Sequence, residues 1–194
     1  IARPEPGKAR TYAQEEVFAV GLPARHYANV GPKLLADRKV KGMLPGATSV
    51  RVRYQPKGVV GVISPWNYPL TLAVSDGVAA LLAGNAVVIK PDSQTPYCAL
   101  AVAELLYQAG LPRELFAVVP GPGSVVGQAI VAQTDYVMFT GSSATGATLA
   151  EQAGRRLIGF SAELGGKNPM IITKGAKIAD AVQGAAPVSY THLR

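Results

Sequence analysis

The sequence has a single cysteine, Cys98, in 194 residues. This excludes an internal disulfide and any metal site built from several cysteines, and it fits a reducing compartment. Long apolar runs are missing too. The longest candidate, Leu70 to Ala83, is interrupted by Asp76 and is too short to span a bilayer, so no membrane segment is expected. Charged residues are sparse at 16% against 48% hydrophobic, which excludes a disordered tail and leaves ample material for a core. No methionine opens the chain, so the lack of a signal-like segment carries little weight; cytoplasmic placement is the expectation.

Negative charge is scarce only in one region. Residues 1–57 hold 11 Lys and Arg against 4 Asp and Glu, whereas residues 58–194 are balanced at 8 and 8, so the net +7 is N-terminal. The basic residues there are not interleaved with aromatic and glycine binding patterns. A solvated basic face is the reading, and no nucleic-acid partner is expected.

What is present is an alternation of strand-like and helix-like segments. Residues 9–40 carry a helical pattern, with Val17, Val20, Tyr27, Leu34 and Leu35 apolar and breaks near Gly21–Pro23 and Gly31–Pro32. Two β-prone runs follow, Ser49–Tyr54 and Gly58–Ser64. The first alternates apolar and polar residues; the second is apolar throughout and suits a strand covered on both faces. A helix is predicted over Leu70–Ala83, stopped by Gly84-Asn85, then a buried strand at Ala86–Lys90. Thr95 is placed as the cap of a helix that has Pro96 at its first position and runs to Gln108. Strands at Leu115–Val119, Tyr136–Thr140 and Pro169–Thr173 and helices at Gly123–Gln133 and Ser142–Arg155 complete the pattern. Such alternation implies parallel pairing through right-handed crossovers, hence an α/β fold with a doubly wound parallel sheet. The helix-prone chain ends at Ala186, and residues 187–194 read as a non-native tail.

In such a sheet, ligands bind where strands end. Four strand ends carry unusual residues. Ile63-Ser-Pro-Trp-Asn-Tyr-Pro69 holds Asn67 between two prolines, where a fixed amide could stabilise an oxyanion; taken alone, it reads rather as a Pro-rich turn packed by Trp66. Lys90-Pro-Asp-Ser-Gln-Thr-Pro96 puts a lysine where a nucleotide ribose or phosphate would lie, or where a lysine simply snorkels. Phe139-Thr-Gly-Ser-Ser-Ala-Thr-Gly146 enters a helix whose first amides suit a pyrophosphate, though many strand–helix turns look like it. Glu163-Leu-Gly-Gly-Lys-Asn-Pro169 sets a carboxylate beside two glycines, either a general base or a surface residue before a flexible turn.

In this order, over roughly residues 10–184, the four motifs resemble the signature set of the aldehyde dehydrogenase superfamily. Tyr54 to Pro69 is most similar to NADP-dependent succinate-semialdehyde dehydrogenases of an actinobacterial type. The resemblance implies oxidation of a small-molecule aldehyde, succinate semialdehyde, to the acid. It casts Asn67 as oxyanion donor and Glu163 as the base that activates water. It gives Lys90 the adenosine ribose or its 2′-phosphate and Ser142 the pyrophosphate, with Gly141 and Gly146 shaping the turn. Ile63, Pro65, Trp66 and Gly123 would line the cofactor cleft. Residues 1–186 would form a partial cofactor-binding domain, with a hairpin over Ser49–Ile63 making contacts in a homo-oligomer.

Two departures stand out. The family's nucleophilic cysteine follows the general base, yet residues 164–194 contain none. Cys98 reads instead as part of a core-facing stripe with Ala101, Val102 and Leu105. The catalytic domain is therefore expected to lie outside the sequence, leaving a nucleotide-binding fragment without turnover as the alternative reading. Second, Ser93 stands where NAD-preferring relatives often carry glutamate. Its lack of charge favours NADP, with NAD as the other candidate cofactor.

Overall fold

A computed structural model describes residues 10–44 and 46–189. A long helix, α1 (Arg10–Leu34), leads to two short strands, β1 (Arg38–Val40) and β2 (Val50–Val52), which pair antiparallel. The body of the chain then alternates: β3 (Val59–Ile63), α2 (Thr71–Leu82), β4 (Ala86–Lys90), α3 (Tyr97–Gln108), β5 (Phe116–Val118), α4 (Gln128–Gln133), β6 (Tyr136–Thr140), α5 (Ser143–Arg155), β7 (Gly159–Glu163) and α6 (Ile178–Ser189). The five strands from β3 onward form one parallel sheet in the order β5-β4-β3-β6-β7. This is the doubly wound topology that the alternation implied.

Side-chain alternation along each strand divides the core between the two faces. Val60 and Val62 of β3, Val87 and Ile89 of β4 and Phe116 of β5 pack with Ala73, Val74, Ala99 and Ala103 of α2 and α3. On the other face, Ile63, Val137 and Phe139 pack with Ile130, Val131, Leu149 and Ala153 of α4 and α5. Gly61, at the centre of β3, is what lets α4 approach: a Cβ there would lie 2.3 Å from Ile130 Cγ2. At the opposite end of the strand, buried Asn85 clamps the turn after α2. Its oxygen accepts the Lys57 and Gly58 N–H groups, and its amide donates to the Ala80 carbonyl.

Several boundaries differ from the sequence reading. The expected breaks at Gly21–Pro23 and Gly31–Pro32 are both absent, since α1 passes through Pro23 and Pro32 to Leu34 without interruption. Packing of Val20 on the core, with Glu16 hydrogen-bonded to α2, outweighs the lost helical bonds. The hairpin over Ser49–Ile63 is corrected as well: β2 pairs with β1, Arg38 opposite Val52, while Val59–Ile63 is the central strand of the parallel sheet. An all-apolar strand needs cover on both faces, and only the sheet interior supplies it.

The last strand is Gly159–Glu163, not Pro169–Thr173. Met170, Ile171 and Ile172 are exposed and pair with no strand among the described residues. Thr95 does not cap α3; its side chain is turned inward, 5% exposed, and its hydroxyl has no partner. Pro187 does not end the last helix, which continues to Ser189, because one bond lost within a final turn does not stop a helix. The rest of the expected tail lies outside the described residues.

Candidate active site at the carboxyl edge of the sheet

From β3 the chain winds to one side through β4 and β5. It then returns to the other side of β3 with β6 and β7. The switch point is therefore between β3 and β6, where Ile63 is in register with Phe139. Loops leaving the two strands diverge there and open a crevice at their carboxyl ends. All four sequence motifs end at this edge.

Ile63 closes β3 and is buried; the ladder continues one residue further, where the Ser64 N–H donates to the Lys90 carbonyl at 3.1 Å. Pro65, Trp66 and Asn67 follow, all half-buried. The Asn67 side-chain oxygen accepts the Tyr68 N–H at 3.2 Å. That contact turns the oxygen back on the chain, so the amide's chemistry toward a ligand is that of its NH2 donor. Beyond Pro69 comes α2, whose first residues include no side-chain cap.

On β4, Lys90 is 5% exposed, and its ammonium donates to the Pro91 carbonyl at 2.8 Å. Burial pushes the lysine below its ordinary value, with Asp92 opposing the shift. Ser93 donates to the Gly121 carbonyl at 2.9 Å and so joins the loops after β4 and β5. Gly123 opens a single π-helical turn to Gly127; it is exposed, and the far end of that turn is what approaches Ile63.

Across the switch point, β6 delivers Gly141 and Ser142. The Gly141 N–H donates to the Glu163 carbonyl at 3.0 Å, tying the ends of β6 and β7 together. Ser142 is the N-cap of α5: its hydroxyl accepts the Thr145 N–H at 3.2 Å and donates to the Thr145 hydroxyl at 2.9 Å. Gly146 is buried in the first turn. A Cβ on Gly141 or Gly146 would run into the Phe139 ring, at 2.6 and 3.2 Å, and on Gly146 also into Leu164 at 2.6 Å. The Glu163 side chain is exposed at the end of β7.

The edge thus has two halves. Lys90 and Ser93 sit on the β4 and β5 side; Asn67, Ser142 and Glu163 gather around β3, β6 and β7. Glu163 and Lys90 are three strand spacings apart, about 14 Å. Cys98, on the helix after β4, belongs to the first half. It is half-buried and outside the core cluster, and the expected core-facing stripe is corrected: the face turned to the core is Ala99, Val102, Ala103 and Leu106, whereas Ala101 and Leu105 are exposed. Pro96 precedes the helix, which begins at Tyr97, and the buried face lies one residue further along the chain than expected.

Two acidic residues escaped the sequence reading. Asp76 of α2 is half-buried; burial, and then the Glu163 carboxylate, raise it above the ordinary aspartate value. The other is Glu16 of α1, 3% exposed, which accepts the N–H groups of Leu70 and Thr71, each at 3.0 Å. Asp76 had been visible only as an interruption in an apolar run. Nothing in the spacing around Glu16 marks it as buried.

Residues 1–192 match the sequence profile of the aldehyde dehydrogenase family. The chain belongs to that family. It is 66% identical over 192 residues to a Mycolicibacterium smegmatis protein provisionally named succinate-semialdehyde dehydrogenase, NADP-linked, covering 99% of this chain and 37% of the relative. An alpha-ketoglutarate semialdehyde dehydrogenase of Haloferax volcanii is 40% identical over 186 residues, covering 93% of this chain and 38% of its own. Among solved structures, an aldehyde dehydrogenase from Bacillus cereus in complex with NAD+ superposes with a TM-score of 0.87 at 35% identity. The match covers 97% of this chain and 38% of that one. The chain therefore spans well under half the length of the relatives it matches.

Among the described residues, no helix is long and apolar enough to cross a membrane, and no group of three or more His, Cys, Asp or Glu could hold a metal ion.

Proposed function

We propose that these residues form the nucleotide-binding part of an NADP-linked dehydrogenase that oxidises succinate semialdehyde to the acid. The observation that carries this reading is convergence. Asn67, the Ser142 turn and Glu163 surround the switch point, and Lys90 stands one strand away.

The residues present fit a nicotinamide nucleotide bearing a 2′-phosphate. Lys90 is a buried ammonium whose recorded acceptor is one neutral carbonyl, which compensates a full charge poorly. The buried hydroxyls of Ser64 and Thr95, at the ends of β3 and just before α3, have no hydrogen-bond partner. Ser93 places an uncharged hydroxyl in the loop where a carboxylate would repel a phosphate. On the other half, α5 begins in exposed residues just after Ser142, and the N-terminus of a helix favours an anion.

The nucleotide, when bound, accepts the electron pair that leaves the aldehyde carbon. In this reading Asn67 donates its amide N–H to the oxyanion formed when a thiolate attacks that carbon. Glu163 takes a proton from the water that releases the acid. The nucleophile is not Cys98, which lies on the β4 side of the sheet on a half-buried helix. Residues 1–194 alone are therefore a nucleotide-binding unit without turnover, and the active protein is cytoplasmic and works as a homo-oligomer. The β1–β2 ribbon, which has no partner in the main sheet, suits pairing with another copy.

Steady-state kinetics on the chain completed to its relatives' length tests the reading. Efficiency with NADP should exceed that with NAD, and Ser93→Glu should reverse the order. Equal or better use of NAD by the unaltered enzyme would overturn the cofactor assignment. Turnover of succinate semialdehyde by residues 1–194, lost on Cys98→Ser, would overturn the exclusion of Cys98.

A further inference from the structure

The loop that carries Asn67 is pinned at its two ends by very different means. Its start is held by the sheet, through the Ser64 N–H and the Lys90 carbonyl. Its end is the first turn of α2, where the Tyr68 carbonyl accepts the Leu72 N–H but no local side chain supplies a cap. Leu70 precedes the helix and has no acceptor in its side chain. Helix starts of this kind leave N–H groups unsatisfied, and burial makes that costly. The missing acceptor arrives from α1: Glu16 reaches across 54 and 55 residues of chain and takes the Leu70 and Thr71 N–H groups with one carboxylate oxygen.

The arrangement is reciprocal. A carboxylate that is 3% exposed needs compensation, and the positive end of a helix with two N–H donors provides it. Glu16 is the one buried side chain among residues 13–34; its neighbours Glu15 and Val17 face solvent. The burial of this charge is thus directed at α2 and does not follow from a buried helix. Tyr68, next to Asn67, also feels Glu16: burial first, then the carboxylates of Glu16 and Glu15, raise its phenol above the ordinary value.

We infer that Glu16 is a positioning residue for Asn67, a remote helix cap that sets the direction of the amide by fixing where α2 begins. Between the two pinned ends lie Pro65, Trp66, Asn67, Tyr68 and Pro69, with the prolines limiting backbone rotation. The Asn67-to-Tyr68 hydrogen bond orients the amide relative to its own loop; Glu16 orients that loop relative to the sheet. Release of the α2 end would let the loop swing while the β4 and β5 side stayed in place. The inference rests on the reading of Asn67 as oxyanion donor.

The test has a spectroscopic and a kinetic arm. In residues 1–194, Glu16→Ala should speed amide hydrogen exchange at Leu70 and Thr71 and leave the Ala83 amide, bonded to Ala79 at the far end of α2, protected. In the chain completed to its relatives' length, the same change should lower kcat roughly 10- to 100-fold, the scale expected from small misplacement of a reacting group. KM for NADP should not move, and Glu16→Gln, which keeps an acceptor oxygen, should restore most of kcat. Should Glu16→Ala fail to fold, Glu16→Gln carries both arms, with smaller changes in the same direction. Faster exchange at Leu70 and Thr71 with kcat unchanged would overturn the positioning role, as would a rise in KM for NADP matching the fall in kcat. Asn67→Ala, run in parallel, separates the two readings: if it slows turnover and Glu16→Ala does not, only the Glu16 inference falls. If Asn67→Ala leaves kcat intact, the oxyanion reading falls and the positioning role with it.

Discussion

In the parallel sheet the buried side chains are apolar, from Val60 and Ile89 to Phe116, with Lys90 the charged exception, whereas along α1 most apolar side chains are exposed and the buried one is a glutamate. Val17, Phe18 and Leu22 are each more than 60% exposed. The two regions are bound to the rest of the molecule by different physics. The sheet is held by area removed from water on both faces; α1 is held to α2 by Val20 and by a charge-assisted cap.

The largest expected break in that contrast comes from one pair of substitutions. Phe116 is fully buried between β4 and α2, and Phe116→Ala should cost about 3–5 kcal/mol in urea unfolding. Phe18→Ala, at 69% exposure, should change stability by less than about 0.5 kcal/mol. Comparable losses from the two would mean that α1 buries its apolar face after all.

A second test asks what a buried charge does inside the sheet half. Lys90 sits below its ordinary value of 10.5 because burial disfavours the ammonium. The unfolded chain therefore holds more protons than the folded one between the folded value and 10.5, and stability should rise with pH across that window. Lys90→Met should abolish the rise. A wild-type unfolding midpoint that falls between neutral pH and 10.5, with Lys90→Met following it, would remove the burial argument.

The smallest effect is expected at Leu157, which breaks the contrast from within the sheet half. It is 94% exposed and left-handed, at φ 57°, in the turn that ends α5, where the Ile158 N–H donates back to Ala153. Leu157→Gly should stabilise the fold by about 0.5–1 kcal/mol, as the strain of a left-handed side chain exceeds the added freedom of glycine. A lower melting temperature would show that Leu157 is held by something other than its turn.

The sequence reading succeeded where local pattern and final environment agree. β4 and β6 were legible to the residue because short apolar runs bounded by turn residues have one good place, the middle of a covered sheet. It failed for β7, whose Gly-Phe-Ser-Ala-Glu has no period; its strand character comes from pairing with β6, and Gly159 is needed to clear the Tyr136 ring. The bounds of the hairpin were also wrong: the resemblance implied one over Ser49–Ile63, but β2 pairs with β1, and β3's need for cover places it inside the parallel sheet. Asn67, Lys90 and Glu163 were visible as oddities at strand ends. Glu16 and Asp76 were not, because what makes them notable is a partner far along the chain.

One ring links the sheet interior to the turn that enters α5. Phe139 fills the space that side chains at Gly141 and Gly146 would need, and it stacks on Phe160 with centroids 6.4 Å apart. The turn is cast against this aromatic mould, so the three positions form an epistatic set. Gly141→Ala, whose Cβ would meet Phe139 alone, should be poorly tolerated beside Phe139 and readily accepted beside a smaller residue there, and the two changes should be strongly non-additive. Sequence drift at this edge of the sheet is in this way throttled by a ring buried behind it.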